Sequence, residues 1–234
     1  MKTALLMFGQ PRYVEEHFPN IKRCLIEPNN PDVHVHTWIS STDKPFRVGE
    51  GWKNERLTKD ALTVINDLYR PKSILAQSQI DFPDKGIDFT STLNGNMGGG
   101  AERPEIAAHY IFATYSMWYS IAQVFKLIET RSYDAIILTR FDLGIQRPVK
   151  IMESDLDCIY GEDIGRPELL LNWMNFGGSD NMRRVFGEMY TNIGSMYRTT
   201  DIWCNEYWCK YTCAKYGIPV KTGSWGLTIP SRKL

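Results

Sequence analysis

The stretch Y133-D-A-I-I-L-T-R-F-D-L-G-I145 decides how the chain is read. Its centre, "AIILT", is an unbroken apolar and β-branched run, the composition of a strand covered on both faces. Its far end carries Arg140 and Asp142. Side chains alternate along a strand, so these two share one side while Thr139 and Phe141 take the other. Two opposite charges on one face of a strand tip form either an internal ion pair or a polar site at the sheet edge.

Working outward, "TALLMFG" (3–9) is a second buried-strand run, closed by Gly9 and Pro11, and it delivers Gln10 and Arg12 at its end. "YVEEHFPNIKRCLI" has helix-like apolar spacing despite Pro19, and "DVHVHTWIS" alternates as a strand, which together make a β-α-β unit. "NERLTKDALTVINDLYRP" predicts a helix ending before Pro71, and "KSILAQSQ" a strand. The polar stretch near 41–53 reads as a surface excursion. "DFPDKGIDFTSTLNGNMGGGAERPE" predicts a long loop of the kind that often closes over a ligand. From Pro104 the chain predicts a long helix that runs directly into the quoted strand. Beyond Pro148, strands are predicted at "LDCIYGED" and "LLLNWMNFGG", a helix opened by Ser179 or Asp180, and a last helix from about 200 to 216. Alternating strands and helices predict an α/β fold with a mainly parallel sheet flanked by helices, as a single domain over 1–234.

The bulk composition narrows the function. Of the 234 residues, 43% are hydrophobic and 23% charged, with Lys plus Arg and Asp plus Glu both at 27. A chain without basic excess lacks the footprint of a nucleic-acid binder. No apolar stretch approaches the ~18–20 residues of a membrane span, and "MKTALLMFGQPR" is too soon interrupted for a secretory signal, so a cytoplasmic protein is expected. Cys24, Cys158, Cys204, Cys209 and Cys213 form no paired framework and are expected to be reduced, buried thiols. The spacing in "CNEYWCKYTC" matches no zinc pattern. His34 and His36 lie on one face of a strand with no third ligand evident, and "GNMGGG" lacks the context of a phosphate loop.

Open α/β sheets bind ligands outside the carboxyl ends of their strands. The candidates are therefore Gln10 and Arg12, Arg140 and Asp142, and the "NFGG" end with Asn175, Gly177 and Gly178. In "SMWYSIAQ", Ser116, Tyr119, Ser120 and Gln123 form a polar stripe on an otherwise apolar helix, either lining a pocket or satisfying a neighbouring layer.

The order of "KTALLMFGQPR", "DVHVHTW", "SMWYSI", "YDAIILTRFDL", "NFGGSDNM" and "NEYWCKYTCAKYGI" resembles small viral and bacterial glycosyltransferase-like proteins of GT-A type, across nearly the whole chain. That resemblance implies a Rossmann-like nucleotide-binding fold, a nucleotide-diphosphate sugar donor (UDP-sugar favoured), a glycan or glycoconjugate acceptor, and a location in the cytoplasm, the host's if the protein is viral. It also implies an Asp-x-Asp motif holding Mn²⁺ or Mg²⁺, in which Asp142 corresponds to the second acidic residue. Arg140 replaces the first, and a guanidinium there is able to neutralise diphosphate charge itself. Gln10, Arg12, Ser116, Ser120, Arg140 and Asp142 are the expected donor-binding residues. Glu206, Asp180 and Asp201 are the candidate catalytic bases, Glu206 first because it matches a recurrent acidic position. A non-catalytic nucleotide- or glycan-binding module and a nucleotidyltransferase are the competing readings.

Overall fold

The computed structural model describes residues 1–39, 60–82, 104–129 (104–110 by backbone), 131–163, 165–166, 168–200, 202 and 204–228. Seven strands form one sheet: β1 (Thr3–Gly9), β2 (Asp32–Ile39), β3 (Ser73–Ser78), β4 (Ala135–Arg140), β5 (Ile159–Glu162), β6 (Met174–Gly178) and β7 (Val220–Gly223), in the order β3-β2-β1-β4-β6-β5-β7. The pairs β3-β2, β2-β1, β1-β4 and β5-β7 are parallel, and β6 runs antiparallel to both its neighbours. The expected mainly parallel α/β sheet is therefore present, with one reversed strand.

The alternation along β1 explains why the sheet is covered on both faces. Ala4, Leu6 and Phe8 face a cluster built with α4 (Pro104–Lys126), α6 (Met189–Thr200) and α7 (Asn205–Lys215). Leu5 and Met7 face the other way, against α1 (Val14–Ile21), α3 (Ala61–Tyr69) and the segment 141–151. Every one of these strand residues is at most 2% exposed, a burial that supplies the main driving force for the layers to assemble. Past α1 the helical path tightens through a π turn (Lys22–Ile26), then α2 (Glu27–Asn29), and Asn30 ends it in the left-handed region at φ 42°.

The connections define where a site belongs. The chain passes from β1 outward to β2 and β3, then α4 crosses the opposite face and returns β4 to the other flank of β1. The strand order thus reverses between β1 and β4, the place where open α/β sheets leave a crevice at their carboxyl ends. Phe8 pairs with Arg140 there.

The carboxyl half differs from the expectation in two ways. Ser179 opens only a short helix, α5 (Ser179–Met182), which a π turn (Arg183–Gly187) separates from α6; β7 follows α7 and was not foreseen. In "NFGG" the glycines have a packing reason. A Cβ on Gly177 would lie 2.2 Å from the Cys158 carbonyl oxygen, and one on Gly178 2.1 Å from that of Leu156. All five cysteines are free thiols, and all but Cys204 are buried. No helix among the described residues is long and apolar enough to cross a membrane.

Candidate functional site at the β1/β4 strand tips

Arg140 is the last residue of β4, and Asp142 follows in a turn while Phe141 packs into the core. Alternation thus brings the two charges to one side. Arg140 donates from Nε to Oδ1 of Asp142 at 2.8 Å and from Nη2 to Oδ2 at 2.6 Å. The carboxylate is gripped along the side edge of the guanidinium, with side-chain exposures of 22% for Arg140 and 6% for Asp142. A guanidinium has five N–H donors, of which Asp142 uses two. The end-on edge, Nη1 with the second hydrogen of Nη2, has no partner among the described residues.

The loop leaving β1 brings a second cation beside this pair. Gly9 sits at φ 103° and Tyr13 at φ 54°, so both belong to the left-handed half of conformational space. Glycine adopts that region freely, whereas a tyrosine keeps it only where its surroundings fix it. Here the Gly9 N–H donates to Ser120 Oγ at 2.9 Å and the Thr37 hydroxyl donates to the Gly9 carbonyl at 3.1 Å. The kinked loop presents Arg12, whose Nη2 donates to the Gln10 side-chain oxygen. Burial lowers the pKa of Arg12, the attraction of Asp142 opposes this and the repulsion of Arg140 adds to it. Two guanidiniums therefore share one carboxylate's field.

His17, in α1, is a member of this cluster that sequence reasoning overlooked. Both its ring nitrogens are shielded from solvent without a hydrogen-bond partner, and its Cε1 lies 3.6 Å from where a Cβ on Gly144 would stand. Burial lowers its pKa, against the pull of Asp142 and then Glu16. Its position one turn past the β1 loop was the available signal. Gly144 is itself bridged to Thr228 by a reciprocal pair of backbone bonds, at 2.8 and 2.9 Å.

The other expected residues separate by place. The Ser120 hydroxyl is fully buried between α4 and the sheet, accepting from Gly9 and lying 2.6 Å from Nδ1 of His36. Ser116 accepts from Gln79 Nε2 at 3.0 Å, and the Tyr119 hydroxyl from Gln77 at 3.3 Å. In this structure the polar stripe of α4 meets the strand ends β2 and β3. Glu206, in the first turn of α7, accepts from the Cys204 thiol at 3.4 Å, and its carbonyl accepts from Leu170 N–H at 3.1 Å. Leu170 packs against Gly161 near the start of β6, which lies beside the carboxyl end of β4 because β6 is reversed. Glu206 is therefore at the same end of the sheet as Arg140.

Asp180 is at the other end. Gly178 pairs with Ala135, the first residue of β4, and Ser179 N–H bonds to the Asp134 carbonyl. At ~3.3 Å per residue, the length of β4 puts Asp180 roughly 20 Å from the Arg140 tip. The expected convergence of the "NFGG" end with the other two strand ends does not occur, since reversal of β6 carries it away. Asp201, Trp52 and the "GNMGGG" segment lie outside the described residues. Trp118 is buried with its Nε1 donating to Asn205, while Trp225 packs edge-on against Phe176.

His34 and His36 are packed, hydrogen-bonded core residues. The Tyr133 hydroxyl donates to Asp32 at 2.9 Å, which leaves its oxygen to accept from His34 Nε2 at 2.8 Å; His34 Nδ1 then faces the Ser73 hydroxyl at 2.7 Å. Burial pushes both imidazoles down to about 4, so both are neutral near pH 7.

Comparison with known proteins gives no assignment: no protein-family model matches the chain, and no curated protein matches it.

Proposed function

We propose that the protein is a glycosyltransferase that moves a sugar from a nucleotide-diphosphate donor, a UDP-sugar first, to a hydroxyl of a glycan or glycoconjugate. The observation that carries this reading is the paired cationic tip at the switch point. Arg140, locked side-on by Asp142, leaves its end-on edge available, and Arg12 stands beside it on a kinked, pinned loop. Guanidiniums bind phosphate oxygens bidentately and stay charged. The order of motifs that resembles GT-A transferases, laid on a sheet whose strand order reverses between β1 and β4, supports the same reading.

In the transfer, the acceptor oxygen bonds to the anomeric carbon and the bond from that carbon to the diphosphate oxygen breaks. The departing diphosphate keeps the electron pair, so negative charge grows next to Arg140 and Arg12, where preorganised donors are most effective. The acceptor proton passes to a carboxylate. Glu206 is our choice for that base, since it shares the carboxyl end of the sheet with the cationic tip.

The test is a panel of UDP-, GDP-, CMP- and dTDP-sugars in thermal melts, followed by product analysis with candidate acceptors. A ligand that binds the folded state alone raises the melting temperature. One nucleotide class is expected to do so, the shift vanishing in Arg140→Ala, with nucleoside diphosphate released on transfer. Pyrophosphate release would identify a nucleotidyltransferase, and donor binding without turnover a binding module. No shift from any donor in folded protein would sink the reading.

A further inference from the structure

The implied metal is the place where the residues and the resemblance part company. An Asp-x-Asp motif offers a divalent cation two carboxylates. Here, among the described residues of the β4 tip, the cation would meet one, Asp142, with both oxygens already accepting from Arg140. The charges nearest that carboxylate are guanidiniums, Arg140 in direct contact and Arg12 within its field. A divalent ion seated on Asp142 would have to share the carboxylate with one guanidinium and stand beside another, like charges at close range. Hard cations select clusters of oxygen ligands, and this donor set does not fit one.

It does fit a diphosphate. We propose that Arg140 and Arg12 form a two-guanidinium clamp for the diphosphate of a nucleoside diphosphate group, with Asp142 positioning Arg140, so that the donor binds without a divalent cation. This rests on the donor-binding reading above and specifies how that site works.

Three features support it. The side-on grip fixes the plane of the Arg140 guanidinium and leaves its end-on edge unused among the described residues, which is what a second bidentate contact requires. The Arg12 loop is held by bonds to both carbonyl and amide of Gly9, from Thr37 and Ser120, so its arginine is presented with little ordering left to do on binding. Finally, Arg12 and Arg140 both lie within the field of Asp142, so two guanidiniums stand at the tip that an incoming diphosphate would approach. His17, kept neutral by burial, adds no further charge.

The test is isothermal titration of the full chain with UDP, GDP, CDP and dTDP, in EDTA and again in Mn²⁺. Circular dichroism on every variant checks that it folds. One nucleoside diphosphate is expected to bind with affinities that agree within about threefold between the two buffers. Arg140→Ala and Arg12→Ala are each expected to weaken it at least about tenfold in both, a tenfold change corresponding to ~1.4 kcal/mol. Asp142→Asn, which keeps the shape but loses the charge that orients Arg140, is expected to weaken binding by roughly threefold to tenfold, equally with and without metal. Affinity that collapses in EDTA, returns with Mn²⁺, and loses only its metal-dependent part in Asp142→Asn would overturn the clamp while leaving the donor reading intact. Absence of binding in both buffers would remove the two together.

Discussion

Two polar clusters sit on this one sheet, and they differ in what they leave unused. Around His34, imidazole, hydroxyl and carboxylate groups satisfy one another in the core through Ser73, Tyr133 and Asp32; beside them His36 bonds Ser120 through Nδ1 while its Nε2 is sealed in without a partner, and both rings are fully buried. At the β1/β4 tips both oxygens of Asp142 accept from Arg140, while Arg140 keeps an open edge among the described residues and some solvent exposure. Buried polar networks stabilise when complete. A ligand site, by contrast, needs spare capacity that solvent can reach, and here that capacity lies at the strand-order reversal.

The sharpest way to break this contrast is Ser120→Ala. It orphans the Gly9 N–H and a nitrogen of His36 together. At about 1–3 kcal/mol for each buried group left unpaired, a loss of roughly 3 kcal/mol is expected in urea unfolding. Nucleotide affinity should fall as well, by roughly threefold to tenfold or ~0.7–1.4 kcal/mol, because the same hydroxyl pins the loop that presents Arg12. A tenfold loss of affinity with unfolding unchanged would instead move Ser120 from the closed network into the site.

Acid offers a second probe of the closed cluster. The unfolded chain protonates both histidines near the ordinary 6.5, whereas the folded chain does so only at about 4, chiefly because of burial. Between these values the unfolded state binds more protons, so stability is intact above 6.5 and falls as pH drops through that window. Each ring should account for a loss on the order of 3 kcal/mol once the pH has fallen below about 4. Ring proton shifts followed by NMR should show neither titrating above pH ~5, where a ring with its ordinary pKa would already be largely protonated.

For the open cluster the informative change is Arg140→Lys. Charge is kept, but the fork that grips Asp142 and phosphate together is not. Donor affinity should fall about tenfold while stability moves by less than ~1 kcal/mol. The mildest expectation is for the strand-edge pair Lys72–Asp32, 2.7 Å apart with the lysine 54% exposed. Lys72→Ala should stay within about 0.5 kcal/mol of the parent in urea unfolding, and a larger loss would show that the His34 network extends to the surface.

Much of this was legible in the residues. Apolar runs located β1, β2, β3 and β4, and the long helix α4 appeared where Pro104 and its spacing placed it. The strand tips with Arg12, Arg140 and Asp142 followed from alternation and the carboxyl-end rule. Strand direction did not. Nothing local in "LLLNWMNFGG" records that β6 runs against β4, because direction is fixed by which edge the chain reaches next. That one reversal places Asp180 at the far end of the sheet and the Glu206 region at the end that carries Arg140. His17 was hidden for a related reason: its neighbours Asp142 and Gly144 come from a distant part of the chain.

The pairing of Phe8 with Arg140 joins the first strand of the chain to one beyond its midpoint. Contacts so far apart in sequence are slow to form, since a long loop must close before they stabilise anything. Arg12 and Arg140 lie on the two sides of that closure, so the proposed clamp comes into being only when the central sheet does. Onset of nucleotide binding during refolding would therefore time the docking of β4 on β1. A fragment ending before residue 133 would lack the site however well its first three strands had formed.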